Sequence, residues 1–371
     1  MTSHSRPARA SGVRLEAASG PRGFQAERLL WLEPERRALS DRRIVDLPEL
    51  LQAGDVLVVN DAATLPASLR ASNWDVEIRL LGRDGESGDT FRALALGAGD
   101  YRTPTEHRPP PPPLPLGTHI EFGELSARVV RVEHARLLVL RFDRTGADLL
   151  AALYRVGRVV QYAYIERQLE LWDVQNRFAA RPWAAELPSA GRPLTWDSIS
   201  QLRRRGVAVV WLTHAAGVSS TGEEALDQRL PLPELSHVPA ETLDAIVAAQ
   251  GRGGHVVAVG TTVVRALEDR ALRSSETSNG KKRGLAASAG TRRAELLVGP
   301  GFRPRIVTAL LTGLHEPTSS HFALMQAFAP RQLLERAAVH AGRAGYLQHE
   351  FGDSLLILGA RPEPRVATTA A

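Results

Sequence analysis

The sequence contains no cysteine, only two lysines and no apolar run long enough to cross a membrane. The absence of cysteine excludes disulfide bonds, thiolate zinc sites, iron–sulfur clusters and a cysteine nucleophile. The longest relevant apolar run, residues 256–264, contains Gly260 and two threonines and falls short of the roughly 20 residues that span a bilayer. Residues 1–22 carry several arginines but no apolar segment, which is not the pattern of a secretory signal. These features predict a cytoplasmic protein without a membrane anchor.

The composition is that of a globular protein with a basic surface. The 371 residues are 43% apolar and 23% charged, which fits two domains, or one large domain with an insertion. The net charge is +5, and residues 273–293 alone hold six basic residues and one acidic residue. The excess of arginine over lysine has two explanations. It reflects either genomic base composition or a surface that contacts phosphates. Because residues 273–293 lack an apolar period, we expect a flexible basic loop there.

The first half of the chain predicts a small β domain. Residues 1–40 have a weak pattern and are expected to form a leader, whereas residues 56–59 predict a buried strand. Between residues 70 and 145, short strand-like runs alternate with glycine-rich turns and no helical period intervenes, which predicts an all-β barrel or sandwich. The proline run at 109–113 predicts a stiff loop between barrel strands, or alternatively a partner-docking segment.

The second half alternates helices with strands, which predicts an α/β domain with a mostly parallel sheet. Helices are predicted over 194–205, 240–250, 263–272 and 322–344, the last broken by Pro330, and strands over 207–213, 255–259, 306–311 and 355–358. The β-rich stretch is inserted into this domain. The predicted boundaries are therefore residues 1–68 and 151–371 for the discontinuous α/β domain, and 69–150 for the small β-barrel domain.

Polar, glycine-rich segments follow several predicted strands, and ligands in α/β sheets collect at the carboxyl ends of strands. One segment ends a strand at His214, which is an acid or base candidate or a turn-capping residue, and continues through Gly217 to further small residues. A second turns at Gly260 into a helix, whose N-terminal amides attract anions. Its spacing matches neither a Walker A loop nor a dinucleotide fingerprint.

Two further segments place carboxylates near histidines. His315 and Glu316 form a possible general base and its orienter, and Thr318 or Ser319 is expected to cap the following helix. The histidine spacing there does not favour zinc, and no metal site is predicted. Glu350 and Asp353 suit ribose hydroxyls, a cationic ligand or simple turn hydrogen bonds. Aromatic residues between 162 and 183 belong either to the core or to a stacking platform for a base.

These segments, taken together and in this order, resemble the motifs of a known protein family. The chain contains Gly54-Asp55-Val56-Leu57-Val58-Val59-Asn60-Asp61, Pro188-Ser189-Ala190-Gly191, Val257-Ala258-Val259-Gly260-Thr261-Thr262 with Arg265, and His315 through Phe328 with Phe351-Gly352-Asp353-Ser354. As a set, spanning about residues 44–358, it resembles the S-adenosylmethionine:tRNA ribosyltransferase-isomerases of queuosine biosynthesis. The resemblance implies a large α/β domain with an inserted small β-barrel, in agreement with the pattern above.

The resemblance also implies a reaction. The ribosyl unit of S-adenosylmethionine is transferred to the aminomethyl group of a 7-deazaguanine in the tRNA anticodon; epoxyqueuosine forms, and adenine and methionine leave. S-adenosylmethionine is a substrate, no metal or prosthetic group is implied, tRNA is the partner, and a monomer is expected. The substrate-binding residues predicted from the polar segments and the resemblance together are Asn60, Asp61, Ser189, Gly191, Gly217, Gly260, Thr261, Thr262, Arg265, Thr318, Ser319, Ser320, Glu350 and Asp353.

This chemistry needs groups that move protons. The sulfonium acidifies the C5′ protons, so a base is required, and adenine leaves more easily when it is protonated or hydrogen-bonded. The catalytic candidates are His315, which we expect to transfer the proton, together with His214 and Glu316. A cationic substrate favours nearby carboxylates, and RNA favours a basic surface.

The chain departs from the family pattern in several loops. The usual P-T-A-G-L-H-F-T becomes residues 188–195 without a histidine, and the usual M-H-S-E is replaced by residues 230–234. The usual N-F-H-L-P and F-x-Y-G-D-A become residues 313–317 and 349–354. These changes indicate a divergent member, and they leave the acceptor more open than the donor. The alternatives are the same donor with a small-molecule acceptor, and a non-catalytic RNA-binding paralogue.

Overall fold

The structure, a computed structural model, describes residues 15–23, 26–85, 87–275 and 284–364. Its strands are β1 (Glu16–Ala17), β2 (Arg28–Glu33), β3 (Ala38–Arg43), β4 (Val56–Asn60), β5 (Ala62–Thr64), β6 (Ser68–Arg70), β7 (Glu77–Arg83), β8 (Thr90–Leu96), β9 (His119–Phe122), β10 (Leu125–Val132), β11 (Leu137–Phe142), β12 (Arg181–Ala184), β13 (Ala208–His214), β14 (Glu234–Val238), β15 (Val256–Val259), β16 (Gly290–Ala294), β17 (Ala309–Gly313), β18 (Leu347–Gln348) and β19 (Ser354–Ile357). Its helices are α1 (Leu47–Leu50), α2 (Gly146–Val156), α3 (Trp196–Arg204), α4 (Glu224–Asp227), α5 (Ala240–Gly251), α6 (Thr261–Ser275), α7 (Ser320–Met325) and α8 (Arg331–Arg343).

The small β domain is a nearly closed antiparallel barrel, as predicted. Its six strands follow the order β6-β7-β8-β11-β10-β9. The backbone N–H of Ser72, just after β6, donates to the carbonyl of Glu121 on β9 at 2.8 Å, which brings the two edges of the sheet together. The proline run lies between β8 and β9, so the prediction of a loop between barrel strands is confirmed. There Gly97 fits against the carbonyls of Pro109 and Pro110, where a Cβ atom would clash.

The large domain is built on a nine-stranded sheet with the order β16-β14-β13-β4-β15-β17-β19-β2-β3. Strands β13, β4, β15 and β17 are mutually parallel and form the centre, while the pairs β14–β13, β17–β19 and β2–β3 are antiparallel. The predicted α/β architecture with an inserted barrel is confirmed, and the parallel pairing is concentrated in the middle of the sheet.

Helices cover both faces of this sheet because its central strands are apolar on both sides. In β4, Val56 and Val58 belong to the core beneath α5, α6 and α8, whereas Leu57 and Val59 belong to the core beneath α1 and α3. Thr195 caps the N-terminus of helix α3, because its hydroxyl accepts the N–H of Ser198 at 3.0 Å, and the chain turns after the helix at Gly206 with φ +80°.

Two sequence predictions are wrong. Residues 28–43, most of which were assigned to a leader, form β2 and β3 of the large sheet, and Leu29, Leu30 and Leu32 are fully buried. In the expected loop at 273–293, α6 continues to Ser275 and residues 290–294 form β16, which pairs with β14. The loop prediction for residues 276–283 lies outside the described residues. Strands β3 and β16 are the two edge strands of the sheet and are partly exposed, so each lacks a strong apolar period, whereas β2 lies inside the edge and its run of leucines was overlooked.

The insertion leaves and re-enters the large domain at one place. Ser68 and Arg158 form an isolated antiparallel bridge, in which each backbone N–H donates to the other's carbonyl at 2.8 Å. Helix α2 packs its buried Leu149 and Leu153 onto the barrel core. The domain boundaries given above remain a prediction. In the described part of the chain, no helix combines the length and apolarity that a bilayer crossing requires.

Candidate active site

A cleft of about 770 Å³ opens where several loops of the large domain converge. Strands β13, β15 and β17 are parallel, so the loops that follow them emerge at the same edge of the sheet. Strand β19 is antiparallel to β17, and therefore the loop that precedes it lies at that edge too. The predicted site residues that line the cleft are Ser189, Gly217, Gly260, Thr261, Thr262, Arg265, His315, Glu316, Thr318, Ser319, Ser320 and Glu350.

The remaining predicted residues support the cleft from behind. Asn60 donates to the carbonyl of His214 at 2.9 Å and accepts the His214 N–H at 2.9 Å, which joins the ends of β4 and β13. Asp61 accepts the hydroxyl of Thr213 at 2.5 Å. Gly191 packs on the ring of Phe178, and a Cβ atom at this position would force the ring to move. These residues shape the loops but do not line the cleft.

Asp353 anchors the loop before β19. It accepts hydrogen bonds from the Arg22 guanidinium at 2.8 Å and from the N–H groups of Arg28 and Leu347 at 2.9 Å each. Its side chain is almost fully buried, and it is not among the residues that line the cleft. The carboxylate of Asp353 therefore fixes the loop that carries Glu350, and it does not face a ligand.

A buried ionic network forms one side of the cleft around Glu234, which the sequence analysis did not select. Its carboxylate contacts His214 Nε2 at 2.8 Å, Arg265 Nη1 at 2.5 Å and the N–H of Gly217 at 2.6 Å. Burial alone would raise the pKa of Glu234, but the hydrogen bond and charge of His214, together with Arg265, hold it below its ordinary value. Glu234 is therefore ionised and fixes three loops at once.

His315 lies in the wall of the cleft beside a second histidine. Its Nε2 is 2.9 Å from the hydroxyl of Thr312, and its ring stacks on His321 with the centroids 4.7 Å apart. Burial, and then the charges of His321 and His349, lower the pKa of His315 well below its ordinary value. The imidazole is therefore neutral near pH 7 and can accept a proton.

Glu316 is not the orienter of His315 in this structure. Its Oε1 accepts the side-chain amide of Gln348 at 3.2 Å, and its carbonyl accepts the hydroxyl of Ser319 at 2.8 Å. Ser319 also accepts the N–H of Phe322 and caps α7, as the sequence predicts for Thr318 or Ser319. Thr312 and His321 hold the His315 ring in place of the carboxylate.

Another part of the cleft lining is a surface that we call the aromatic wall, made of Tyr162, Tyr164, Glu186, His349 and Glu350. Tyr162 stacks on Tyr164 with centroids 6.2 Å apart, and Tyr164 stacks on His349 at 4.4 Å. The hydroxyl of Tyr162 donates to Glu186, and that of Tyr164 donates to Glu350. Burial and the adjacent carboxylates raise the pKa of both tyrosines, so they remain hydrogen-bond donors.

Glu186 on this wall has an unusual protonation equilibrium. Burial raises its pKa to about 7, and the hydrogen bonds from Ser219 and Tyr162 only partly oppose that shift. Ser219 donates its N–H at 2.9 Å and its hydroxyl at 2.6 Å. The wall therefore holds a carboxyl group that exchanges a proton near neutral pH.

The strand-to-helix turn after β15 brings backbone into the cleft. Gly260 has φ +97°, which an L side chain rarely adopts, and α6 begins at the next residue. Thr262 contacts the Asn60 amide at 3.3 Å, which ties this turn to β4. The N-terminus of α6 and the Arg265 side chain thus approach the cleft from the same turn. Within the described ranges, no three His, Asp or Glu side chains group in a way that could hold a metal ion.

A family model and individual relatives both match this protein along almost the whole chain. The model of the family described as queuosine biosynthesis protein matches residues 14–357. A protein of Methylocella silvestris named S-adenosylmethionine:tRNA ribosyltransferase-isomerase is 36% identical over 359 residues, covering 91% of this chain and 92% of the relative. A protein of Anaeromyxobacter dehalogenans with the same name is 34% identical and covers 94% and 96%.

A similar solved structure is also known. It is the crystal structure of an S-adenosylmethionine tRNA ribosyltransferase from Thermotoga maritima, which is 25% identical to this chain. The comparison covers 92% of this chain and 96% of that chain, with a TM-score of 0.49.

Proposed function

Because the chain belongs to the family of queuosine biosynthesis proteins, whose relatives are named S-adenosylmethionine:tRNA ribosyltransferase-isomerases, we propose that it transfers the ribosyl unit of S-adenosylmethionine to a 7-aminomethyl-7-deazaguanine in tRNA. The chain is an enzyme of the transferase and isomerase class. In the proposed reaction a bond forms between the aminomethyl nitrogen and the ribosyl unit, the bonds to adenine and to the methionine sulfur break, and epoxyqueuosine results.

The observation that carries this proposal is similarity over nine-tenths of the chain and nine-tenths of its relatives. The cleft geometry supports it. His315 is kept neutral by burial, so it has an unprotonated ring nitrogen that can accept a C5′ proton of the sulfonium, while its lowered pKa makes it a weaker base than an exposed imidazole. Glu350, on the aromatic wall, offers a carboxylate oxygen to a cationic substrate. His214 is too enclosed to touch a substrate and positions Glu234 instead.

The remaining substrate contacts are assigned by their place in the cleft. The N-terminal turn of α6, with Gly260, Thr261 and Thr262, suits the carboxylate of the methionine portion, because backbone amides at a helix start attract anions. The hydroxyls of Thr318, Ser319 and Ser320 suit polar groups of the ribose or the base. S-adenosylmethionine acts as a substrate in this scheme, and no prosthetic group is required.

A turnover assay tests the proposal. The pure protein is incubated with S-adenosylmethionine and tRNA that carries the aminomethyl-deazaguanine, and adenine and methionine are measured. We expect release of both, dependent on that tRNA. Binding of S-adenosylmethionine without tRNA-dependent release would overturn the proposed acceptor and point to a small-molecule acceptor. Substitution His315→Ala should lower kcat at least 100-fold, while His340→Ala, an exposed histidine on α8, should not change it.

A further inference from the structure

The outermost ring of the aromatic wall belongs to His349. One face of its imidazole stacks on Tyr164 at 4.4 Å with an angle of 18° between the planes, and the residue is exposed at the edge of the cleft. Its backbone has φ +69°, which residues other than glycine rarely adopt. Such backbone strain persists where the surroundings hold a side chain in a particular place. Here it holds an aromatic ring flat against Tyr164, beside the cleft.

The next residue places a carboxylate at the edge of that ring stack. Oε2 of Glu350 accepts the hydroxyl of Tyr164, so the carboxylate is held in position. Its Oε1 has no hydrogen-bond donor among the residues that the structure describes, and the side chain lines the cleft. Glu186, by contrast, uses both oxygens for Ser219 and Tyr162. Glu350 is therefore the carboxylate of the wall that has an oxygen free for a ligand.

We propose that His349 and Glu350 form the subsite for the acceptor base, in which the 7-deazaguanine ring stacks on His349 and its aminomethyl ammonium binds Glu350. This inference rests on the proposed function, since it assigns the place of that reaction's acceptor. Stacking on an aromatic side chain accepts any flat base, so the ring alone gives affinity. The carboxylate supplies the selectivity, because a guanine in the same position has no cation to offer it.

The spacing of ring and charge favours the acceptor over the donor. In the acceptor a single methylene joins the ammonium to the ring, which matches a stacking residue and a carboxylate that are neighbours in the chain. In S-adenosylmethionine the ribose separates the sulfonium from adenine. The charge of Glu350 is also one of the causes that raise the pKa of Glu186. A cation bound between them relieves this repulsion.

The location is consistent with the chemistry. His349 lies close enough to His315 for its charge to contribute to the lowered pKa of His315. A base stacked on His349 is therefore placed near the group that we propose removes the C5′ proton. The ammonium becomes a nucleophilic amine when it gives a proton to the adjacent carboxylate of Glu350, and the amine then faces the same part of the cleft as His315.

The test compares two anticodon stem-loop RNAs that differ in one base, aminomethyl-deazaguanine or guanine. Dissociation constants of both RNAs and of S-adenosylmethionine are measured for the full chain and for Glu350→Gln, His349→Ala and His349→Phe. Glu335→Gln and His340→Ala on α8 are the matched controls, because both side chains are exposed and form ion pairs away from the cleft. Unchanged binding of S-adenosylmethionine shows that each variant is folded.

We expect the unsubstituted protein to prefer the modified RNA and Glu350→Gln to lose at least tenfold of that preference. His349→Ala should weaken both RNAs about tenfold, and His349→Phe should restore most of the loss, because a phenyl ring also stacks. An unchanged preference in Glu350→Gln would overturn the inference, as would a lack of preference in the unsubstituted protein. Loss of S-adenosylmethionine binding instead of RNA binding would assign the wall to the donor.

This result is separate from the test of the proposed function. If the modified tRNA supports release of adenine and methionine but Glu350→Gln keeps its preference, the reaction stands and the subsite is wrong. If the protein distinguishes the two RNAs through Glu350 but releases no adenine, the subsite stands and the reaction is wrong.

Discussion

At the scale of single residues, the structure uses carboxylates in two opposite ways. Glu234 is buried beside His214 and Arg265 and stays ionised, whereas Glu186 is buried beside hydroxyl and amide donors and has a pKa of about 7. The difference arises because Glu234 has two basic partners, His214 and Arg265, whereas the hydrogen-bond partners of Glu186 are neutral. One carboxylate therefore serves as a fixed charge and the other as an exchangeable one.

Glu186 should make stability depend on pH. Its pKa is 4.5 in the unfolded chain and about 7 when folded, so between these values the folded protein retains a proton that the unfolded chain has released. Glu186 should therefore contribute a fall in the free energy of unfolding as pH rises from 4.5 to 7, opposite in sign to the rise contributed by His315 with its lowered pKa, and Glu186→Gln should remove a contribution approaching one proton from the slope. Urea denaturation at a series of pH values measures it.

Glu27 contributes to the same pH dependence of stability. Burial raises its pKa to about 7 as well, despite its ion pair with Arg192, so part of the slope should remain in Glu186→Gln. A slope identical to that of the unsubstituted protein would contradict the assignment of Glu186. Glu335→Gln, on the surface of α8, should leave the slope unchanged.

Removing the charge of Glu234 should be costly. Glu234→Gln leaves Arg265, which is 3% exposed, without its carboxylate and weakens the contact with His214. We expect the free energy of unfolding at pH 7 to fall by about 3 kcal/mol, since breaking a buried ion pair strands a charge. Chemical denaturation measures the loss, and a change below about 1 kcal/mol, typical of an exposed pair, would contradict it.

At the scale of elements, the predictions found strands with a clear apolar run or alternation and missed those at and next to the two edges of the large sheet. Strand β4 is buried along its whole length and was found as an apolar run. Strands β14 and β16 lie near one edge of the sheet and β3 at the other, with exposed or half-exposed positions, and were missed. In β7, Glu77 and Arg79 gave the alternation of a half-exposed strand, yet both are buried, because they pair at 2.7 Å.

Part of the cleft could be predicted from the sequence and part could not. The loops after β13, β15 and β17 were predicted to share one place, because parallel strands carry their C-terminal loops to one edge, and they line one cleft. Glu186 and Glu234 were not selected, because their partners Ser219 and Arg265 lie 33 and 31 residues away in sequence. Spacing cannot reveal such a pair until the fold brings it together.

Strand β2 offers a direct test of the corrected N-terminal assignment. Leu30 is fully buried in the core beneath α8, so Leu30→Ala should lower the free energy of unfolding by about 3 kcal/mol, from lost burial and the cavity left behind. Val45, which is 43% exposed, is the control, and Val45→Ala should cost less than about 1 kcal/mol. Equal effects of the two substitutions would show that β2 does not pack as described.

At the scale of the whole molecule, the net charge of +5 favours binding of a polyanion such as tRNA. If tRNA binds through phosphate contacts, its affinity should fall at least tenfold between 50 and 200 mM salt, because released counterions drive such binding. The affinity for S-adenosylmethionine, measured in the same buffers, should change much less. A tRNA affinity that is independent of salt would contradict binding through a basic surface.

The bridge between Ser68 and Arg158 has a consequence for how the chain is made. All the strands of the barrel and the helix that packs on it lie between these two residues, so most of this module is present once residue 158 has left the ribosome, and Val160 and Ala185 add to its core later. Strand β4 is synthesised earlier, yet its neighbours β13 and β15 come about 150 and 200 residues later. The barrel should therefore acquire its structure during translation, while the central sheet waits for the rest of the chain.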